Sequence, residues 1–581
     1  MNRSRRLLTA PTLASLVAAA LPAQCGVVAD ISPGATGTNI GWSTAAFGNE
    51  LYFVANEAAT GLELWKWNAS AGAQLVVDLA PGIDHSRPEH LTPCITAAGP
   101  RVFYSAFEIG HGHELYASDG TAAGTGRVVE IMAGTASSLP FHFCALNGRV
   151  YFNATDASAG AELWVSDGTA AGTARLSDFA PGAASSRPIE LFAFDDRLLF
   201  SAWSPTAGRE LCVSDGTAAG TFLLRDIRLG VGDSAPTHFA RLGDHVYFLA
   251  DDGVTGREVW RTDGTTAGTT LVANLFGTSS VGADELRACG DLLYFREWGS
   301  SGHLFASDGT AVGTVDLGVI GRSATSAAGR VFFAGYDGLL GSELWVTDGT
   351  AAGTQLVADL APGPVGSSPA KFVDCGPGVC FVASTATTGE LWYSDGTAAG
   401  TTLLCTLDPG GAANPDQLTM CRGRLFVDAS SPTYGRELYG IATPGASRAV
   451  LGEASAPDRP RLATAGDAVP ILGTTIALTG SGPPGYAGVL LVGGAGLPTA
   501  VPQLPGFLEG GADWTGVQAG NALTVATLPT ASFTVPFAAP VDPAFEGLVL
   551  QLQTIWFHPT VAPTLQVSNG LQLVLGAATP H

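Results

Sequence analysis

The sequence predicts an all-β protein: an eight- or nine-bladed β-propeller of repeats about 48 residues long, followed by a C-terminal β-sandwich. Three observations predict it. A twelve-residue string, ELWVSDGTAAGT at 162–173, returns along the chain in nearly the same letters. Short alternating apolar runs, each closed by Gly, Pro, Asp or Ser, fill the space between its copies. Past residue 440 the string stops and the composition shifts.

A chain of 581 residues is too long for one ordinary core. With 76 Gly and 35 Pro but 46% hydrophobic residues, it is too apolar to be disordered and suits many short strands joined by tight turns. Only 14% of residues are charged, the net charge is -23, and Lys66 and Lys371 are the only lysines. Such a chain repels nucleic acid and anionic lipid. Cations and neutral ligands such as sugars remain open.

The first 23 residues read as a signal peptide, with Arg3, Arg5 and Arg6 ahead of a short apolar run ending in small residues. Pro11 and Pro22 break that run, which argues against a membrane anchor, and Gln24 before Cys25 argues against lipidation. No later segment is apolar and long enough to span a bilayer, so no transmembrane segment is expected in the mature chain. The expected location is secreted or at the cell surface. Of nine cysteines, Cys375 and Cys380 flank a GPG turn and are placed for a hairpin disulfide. Most of the others precede a strand as small buried residues.

The repeated Asp falls at Asp119, Asp167, Asp215, Asp263, Asp308, Asp348 and Asp395. Around Asp167 each piece reads as a strand: 139–146, 149–155, 161–168 and 174–180, with the turn-rich 181–188 leading to the next unit. A unit this small cannot bury its own two faces, so the units must stack. A solenoid has shorter repeats, and a string of separate sandwiches would lack such stacking. The second-strand pattern occurs nine times, and so does the fourth, but shifted: its first copy, 26–34, precedes any third strand. Pairing this orphan with the last unit closes a ring and removes two free edges. Eight blades, with one end outside the ring, is the alternative. The unit between Asp308 and Asp348 lacks the PG..S.P loop and is the irregular one.

Within the string, Leu163 and Val165 face one way and Glu162, Trp164 and Ser166 the other. Trp164, Trp260, Trp345 and Trp392 are therefore expected between blades. Asp-Gly supplies turn chemistry, and the threonines bond loop backbone. The seven repeated aspartates are read as structural. No cofactor is expected. Calcium in each turn is the competing reading, and one carboxylate with several hydroxyls is thin for an ion that takes six to eight oxygens.

The string resembles the ELWxxDGT repeat of large secreted bacterial proteins, over residues 26–440, with departures at Cys212, His303 and Phe305. That resemblance implies an extracellular repeat protein and no established enzymatic activity. The SDG hairpin also looks like the Asp-box turn of sialidase propellers, where it is structural.

The domain plan is thus a signal peptide at 1–23, the propeller at 24–440, a linker at 441–454 and the sandwich at 455–581. The last part holds no Cys and eight charges, and Asn569-Gly570 sits between alternating runs as a hairpin signal.

Candidate binding residues lie in loops between second and third strands, which are expected to share a face with the PG..S.P loops. His111 and His113, beside Glu108, offer metal-ligand chemistry in a solvated loop; no metal is assigned. Asp251, Asp252, Glu297 and Asp337 occupy equivalent loops of other units. No nucleophile elbow, zinc helix or phosphate loop is present. The reading favoured is a secreted, monomeric, non-enzymatic binding or scaffold protein that engages an extracellular glycan or protein. The alternative is a carbohydrate-active enzyme using paired loop carboxylates.

Overall fold

The computed structural model describes residues 26–32, 38, 43–277, 282–299, 301–385, 389–407 and 413–443, and nine further strands between 448 and 574. The signal segment, Cys25 and most of the linker lie outside the described residues. All described elements are strands and turns.

Each repeat folds as a four-stranded antiparallel meander. The unit around Asp167 has Phe141–Leu146, Arg149–Asp156, Gly160–Ser166 and Ala174–Arg175, hydrogen-bonded in that order. Strands this short need stacking for stability, and the meanders supply it. The first strands contact one another in sequence: Thr44–Phe47, Glu89–Thr96, Phe141–Leu146, Ile189–Phe194, Thr237–Leu242, Gly282–Cys289, Thr314–Ala327, Ala370–Asp374 and Asp416–Cys421. The last returns to the first. The architecture is propeller-like.

The orphan strand closes this ring. Gly26 and Val27 pair with Gly440 and Tyr439, completing a four-stranded sheet whose other three strands come from the other end of the repeats. The irregular unit is explained by its missing loop. With no turn-rich connection to leave the sheet, the 14-residue strand Thr314–Ala327 runs from one meander into the next and merges them into one seven-stranded sheet.

Apolar side chains pack between meanders. Trp164 lies against a cluster that joins Phe103 and Leu115 to Phe152 of its own sheet, and Trp345 and Trp392 make the same bridge elsewhere. Trp260 is buried between Leu211 and Phe248. Cys375 and Cys380 are disulfide-bonded across the GPG turn.

The least expected feature is the repeated glutamate. Glu63, Glu114, Glu162, Glu210, Glu343 and Glu437 are fully buried. Each reaches into the connection that leaves its own sheet. Glu162 accepts from the backbone N–H of Ser186 at 3.1 Å and its hydroxyl at 2.7 Å, and from Ser177 and the N–H of Phe179. The same serine then turns outward: its carbonyl accepts from the N–H of Trp203, on the second strand of the next sheet, at 2.8 Å. Ser86, Ser138, Ser234 and Ser367 repeat both contacts. At the closure Thr38 takes the serine's place, donating to Glu437 and accepting from the N–H of Asn56. Where the position is Ala413, Glu390 is only half-buried and accepts from Thr385 instead.

Beyond 443, the strands form two antiparallel sheets. One contains Arg448–Leu451, Ala487–Gly494, Thr524–Leu528, Val549–Phe557, Leu565–Val567 and Gly570–Val574; the other Arg461–Thr464, Thr475–Ser481 and Ser532–Ala538. Asn569, where a hairpin turn is expected, lies outside the described residues. Leu565–Val567 and Gly570–Val574 each pair with Val549–Phe557.

Two predictions follow from the tethers. Ser186→Ala orphans a buried carboxylate and should lower stability by about 1–3 kcal/mol in urea unfolding, whereas Glu390→Ala should cost less than about 0.5 kcal/mol. Stability should also depend on pH. Burial lifts Glu437 and Glu258 from 4.5 to about 7, against the hydrogen bonds they accept. Between those values the folded chain holds protons that the unfolded chain has released, so their contribution is present in acid and lost as pH rises to about 7. Asp119, Asp215 and Asp263 are held below 3.8 chiefly by threonine hydroxyls, and their contribution is lost in stronger acid. The melting temperature should therefore peak near pH ~4 and fall on both sides; a flat profile from pH 5 to 8 would contradict the assignment.

Candidate functional site

The two kinds of loop do share one face. Gly160, in the second-to-third-strand turn, has φ of 68°, and a Cβ there would lie 2.4 Å from the carbonyl oxygen of Ala184 in the outgoing connection. The chain can pass so closely only with glycine. A backbone bond from Arg187 to Ala161 fixes this contact, and one from Ser234 to Arg209 fixes its counterpart in the next unit.

The opposite face carries the DGT turns, and these are closed on themselves. Asp167 Oδ1 accepts from the N–H and the hydroxyl of Thr169 at 2.9 and 2.7 Å. Thr169 in turn accepts from the N–H of Gly172. The same pair of bonds holds Asp119, Asp215, Asp263, Asp308, Asp348 and Asp395. At Gly172 an added Cβ would fall 2.1 Å from the Asp167 carboxyl, so the second glycine of the string makes room for the first carboxylate.

The sequence-predicted loop residues do not converge. His111 Nδ1 lies 3.0 Å from Glu130 Oε1, while His113 packs on Phe107, and burial lowers its pKa. Glu108 accepts from the Tyr116 hydroxyl at 2.6 Å and pairs with Arg127. Asp252 accepts from the N–H groups of Val254 and Thr255; burial opposes ionisation, but these bonds hold its carboxyl below 3.8. Asp337 caps its own loop through Leu339 and Leu340. Asp251 accepts from the N–H of Gly253 and lies 3.7 Å from Arg228, and Glu297 accepts from the N–H of Ser301. Most of these carboxylates shape the loops that carry them. Among the described residues no group of three or more His, Cys, Asp or Glu is placed to hold a metal ion.

The polar groups that do converge belong to the first strands. Eight of these nine strands, all but Thr44–Phe47, carry a bulge with one residue at positive φ: His90, His142, Glu190, His238, Glu285, Ser323, Lys371 and Gln417. Because the first strands adjoin in cyclic order, these residues form a polar ring. Glu190 accepts from the N–H of His238 at 2.9 Å, and Glu285 from that of Ser323 at 3.0 Å, so the ring is bonded from sheet to sheet. The sequence reading missed it. A signal existed: in six repeats this residue stands two places after the proline of the PG..S.P loop or its counterpart, and there the letters change while staying polar.

Beside this ring, at the closure, lies a cleft of about 760 Å³. Asn56, His85 and Arg87 line one side, Lys371 and Ser384 another, and Asn414, Asp416, Gln417, Asp428 and Arg436 the floor. Lys371 Nζ pairs with Asp416 at 2.9 Å. Arg436 makes two contacts to Asp428 Oδ2, at 2.6 and 2.8 Å. Asp428 is 2% exposed, and its other oxygen, Oδ1, has no hydrogen-bond partner among the described residues. Burial raises its pKa to about 6, against the pull of Arg436. His85 Nδ1 accepts from the N–H of Leu62 at 2.8 Å, which leaves Nε2–H as a donor.

Around the same face stand exposed apolar tips. Leu229, Val231, Val254, Trp298, Leu339 and Val365 are all more than 60% exposed and come from loops of successive sheets.

No family model matches the chain, and no curated relative matches it. Among solved structures it is similar to a puromycin hydrolase, at 14% identity and a TM-score of 0.33, over 79% of this chain and 61% of that one. It is also similar to a prolyl endopeptidase, at 9% identity and a TM-score of 0.36, over 78% and 56%. BamB from Moraxella catarrhalis aligns at 14% identity and a TM-score of 0.29, over 52% and 82%. The chain thus matches about three-fifths of the length of the first two. No helix among the described residues is long and apolar enough to cross a membrane.

Because each Asp167-type carboxylate already accepts two donors, chelation should leave the melting temperature unchanged within about 1 °C. A drop on adding a calcium chelator, reversed by calcium, would restore the ion-binding reading of these turns.

Proposed function

We propose that this is a secreted, non-enzymatic binding or scaffold protein that engages an extracellular glycan or protein through the loop face of a nine-bladed propeller. The observation that carries the reading is the contrast between the two faces. One is closed by self-satisfied DGT turns. The other presents exposed apolar tips around a polar ring and a charged cleft. Exposed apolar clusters rimmed by polar groups mark interaction surfaces. The nine-blade count is supported by the cyclic contacts of the first strands and by the closing pair of Gly26 and Val27.

Export fits the Arg-led N-terminal segment and the disulfide. The resemblance to ELWxxDGT repeats points the same way. The C-terminal strands are read as a sandwich, the seven repeated aspartates as structural, and the chain as a monomer needing no cofactor. The enzymatic alternative weakens with the loop geometry, since Asp252 and Asp337 are engaged in capping their own turns.

The test is incubation of the mature chain with polysaccharides and cell-wall preparations, scoring retention on the solid and new products in solution. Retention without products is the expected outcome. It should fall at least tenfold in a Leu339→Asp, Val365→Asp double variant that keeps its melting temperature. Soluble products lost on replacing one loop carboxylate would overturn the reading in favour of an enzyme.

A further inference from the structure

The cleft at the ring closure has a chemistry that limits what it can hold. Its two ion pairs, Lys371 with Asp416 and Arg436 with Asp428, are each neutral. Arg87 also lines the cleft and makes no ion pair among the described residues. The cleft therefore carries one uncompensated positive charge, in a chain whose net charge is -23. Arg87 is also well anchored. Its φ is 45°, its N–H is bonded to the carbonyl of Leu62 at 3.1 Å, and Pro88 follows it. The backbone that carries the guanidinium is thus fixed.

Opposite in character is Asp428. Its Oδ1 has no donor among the described residues and is itself shielded from the cleft, so Asp428 serves to hold Arg436 and does not meet what enters. His85 Nε2–H, Asn56 and Gln417 add neutral hydrogen-bonding groups, and no Phe, Tyr or Trp lines the cleft. One unpaired cation and several neutral polar groups suit a ligand with a single carboxylate and several hydroxyls.

We propose that this cleft binds an acidic sugar of the uronic-acid class, its carboxylate paired with Arg87 and its hydroxyls bonded to His85, Asn56 and Gln417. This rests on the loop-face binding reading and narrows it to one class of ligand. A zwitterionic amino acid is the nearest competitor; its carboxylate would meet Arg87 while its ammonium would face Asp416, which Lys371 already pairs.

Calorimetric titration of the full mature chain should use galacturonate and glucuronate oligomers, the matching neutral galactose and glucose oligomers, and free glycine. The uronates should bind at least tenfold more tightly than their neutral counterparts, and glycine should not compete. Arg87→Ala should weaken uronate binding at least tenfold with an unchanged melting temperature, and Arg87→Lys should restore part of it. Arg101→Ala, in a hairpin on the other face, should have no effect. Equal binding of neutral and acidic oligomers, competition by glycine, or indifference to Arg87→Ala would each overturn the proposal. Loss of uronate binding in Arg87→Ala with retention on cell-wall material intact would still support the cleft assignment. Uronate binding without any loop-face retention would uphold it while defeating the wider reading.

Discussion

Six of the repeats are tethered in the ring by a fully buried glutamate and the serine, or at the closure the threonine, that it captures. An ionisable group at zero exposure is stable only when its oxygens are satisfied. Glu162 meets that demand by taking the N–H and hydroxyl of Ser186 from the outgoing connection. The connection is thereby pinned, and the carbonyl of Ser186 is left facing the next sheet, where Trp203 N–H donates to it. One carboxylate thus sets the path of a loop and the spacing of two sheets. Apolar packing between sheets supplies the larger share of the burial but is non-directional; the tethers give it a register.

The loop face depends on this arrangement. Once the serine is fixed, the residue after it and the proline that follows are fixed too, and the first strand begins with a bulge at positive φ. His142, Glu190 and His238 reach the inner edge of the face for that reason. The site is a by-product of the scaffold's geometry, so its residues can vary from repeat to repeat without loosening the ring. At the closure the same frame is rebuilt from two distant stretches of chain, with Thr38 bonded to Glu437. Asp428 and Arg436 belong to that last sheet, and the cleft opens beside them.

Departures from the rule behave as the physics requires. Where serine is replaced by Ala413, Glu390 is no longer fully buried and finds Thr385. Where the connection is missing, glutamate gives way to His303, which lies 2.9 Å from Asp316, and the strand runs on into the next meander. The glutamate and its loop come and go together because neither is tolerable alone.

By itself the sequence determined the strand pattern, the four-strand unit, the turn at Asp167 and the closing role of the orphan strand. These are local or strictly periodic properties, and each copy of the repeat restates them. It also placed Cys375 and Cys380 across one tight turn, close enough to bond. What it did not reveal was where Glu162 goes, since strand alternation says which face a side chain takes but not what partner waits 24 residues on. Nor did it reveal the polar ring or the cleft. His111, His113 and the loop carboxylates drew attention because their letters suggest chemistry in one stretch of chain. Arg87, Lys371 and Asp428 line one cleft only when the two ends of the repeat array are joined, and that meeting of residues 284 and 341 positions apart was settled by ring closure alone.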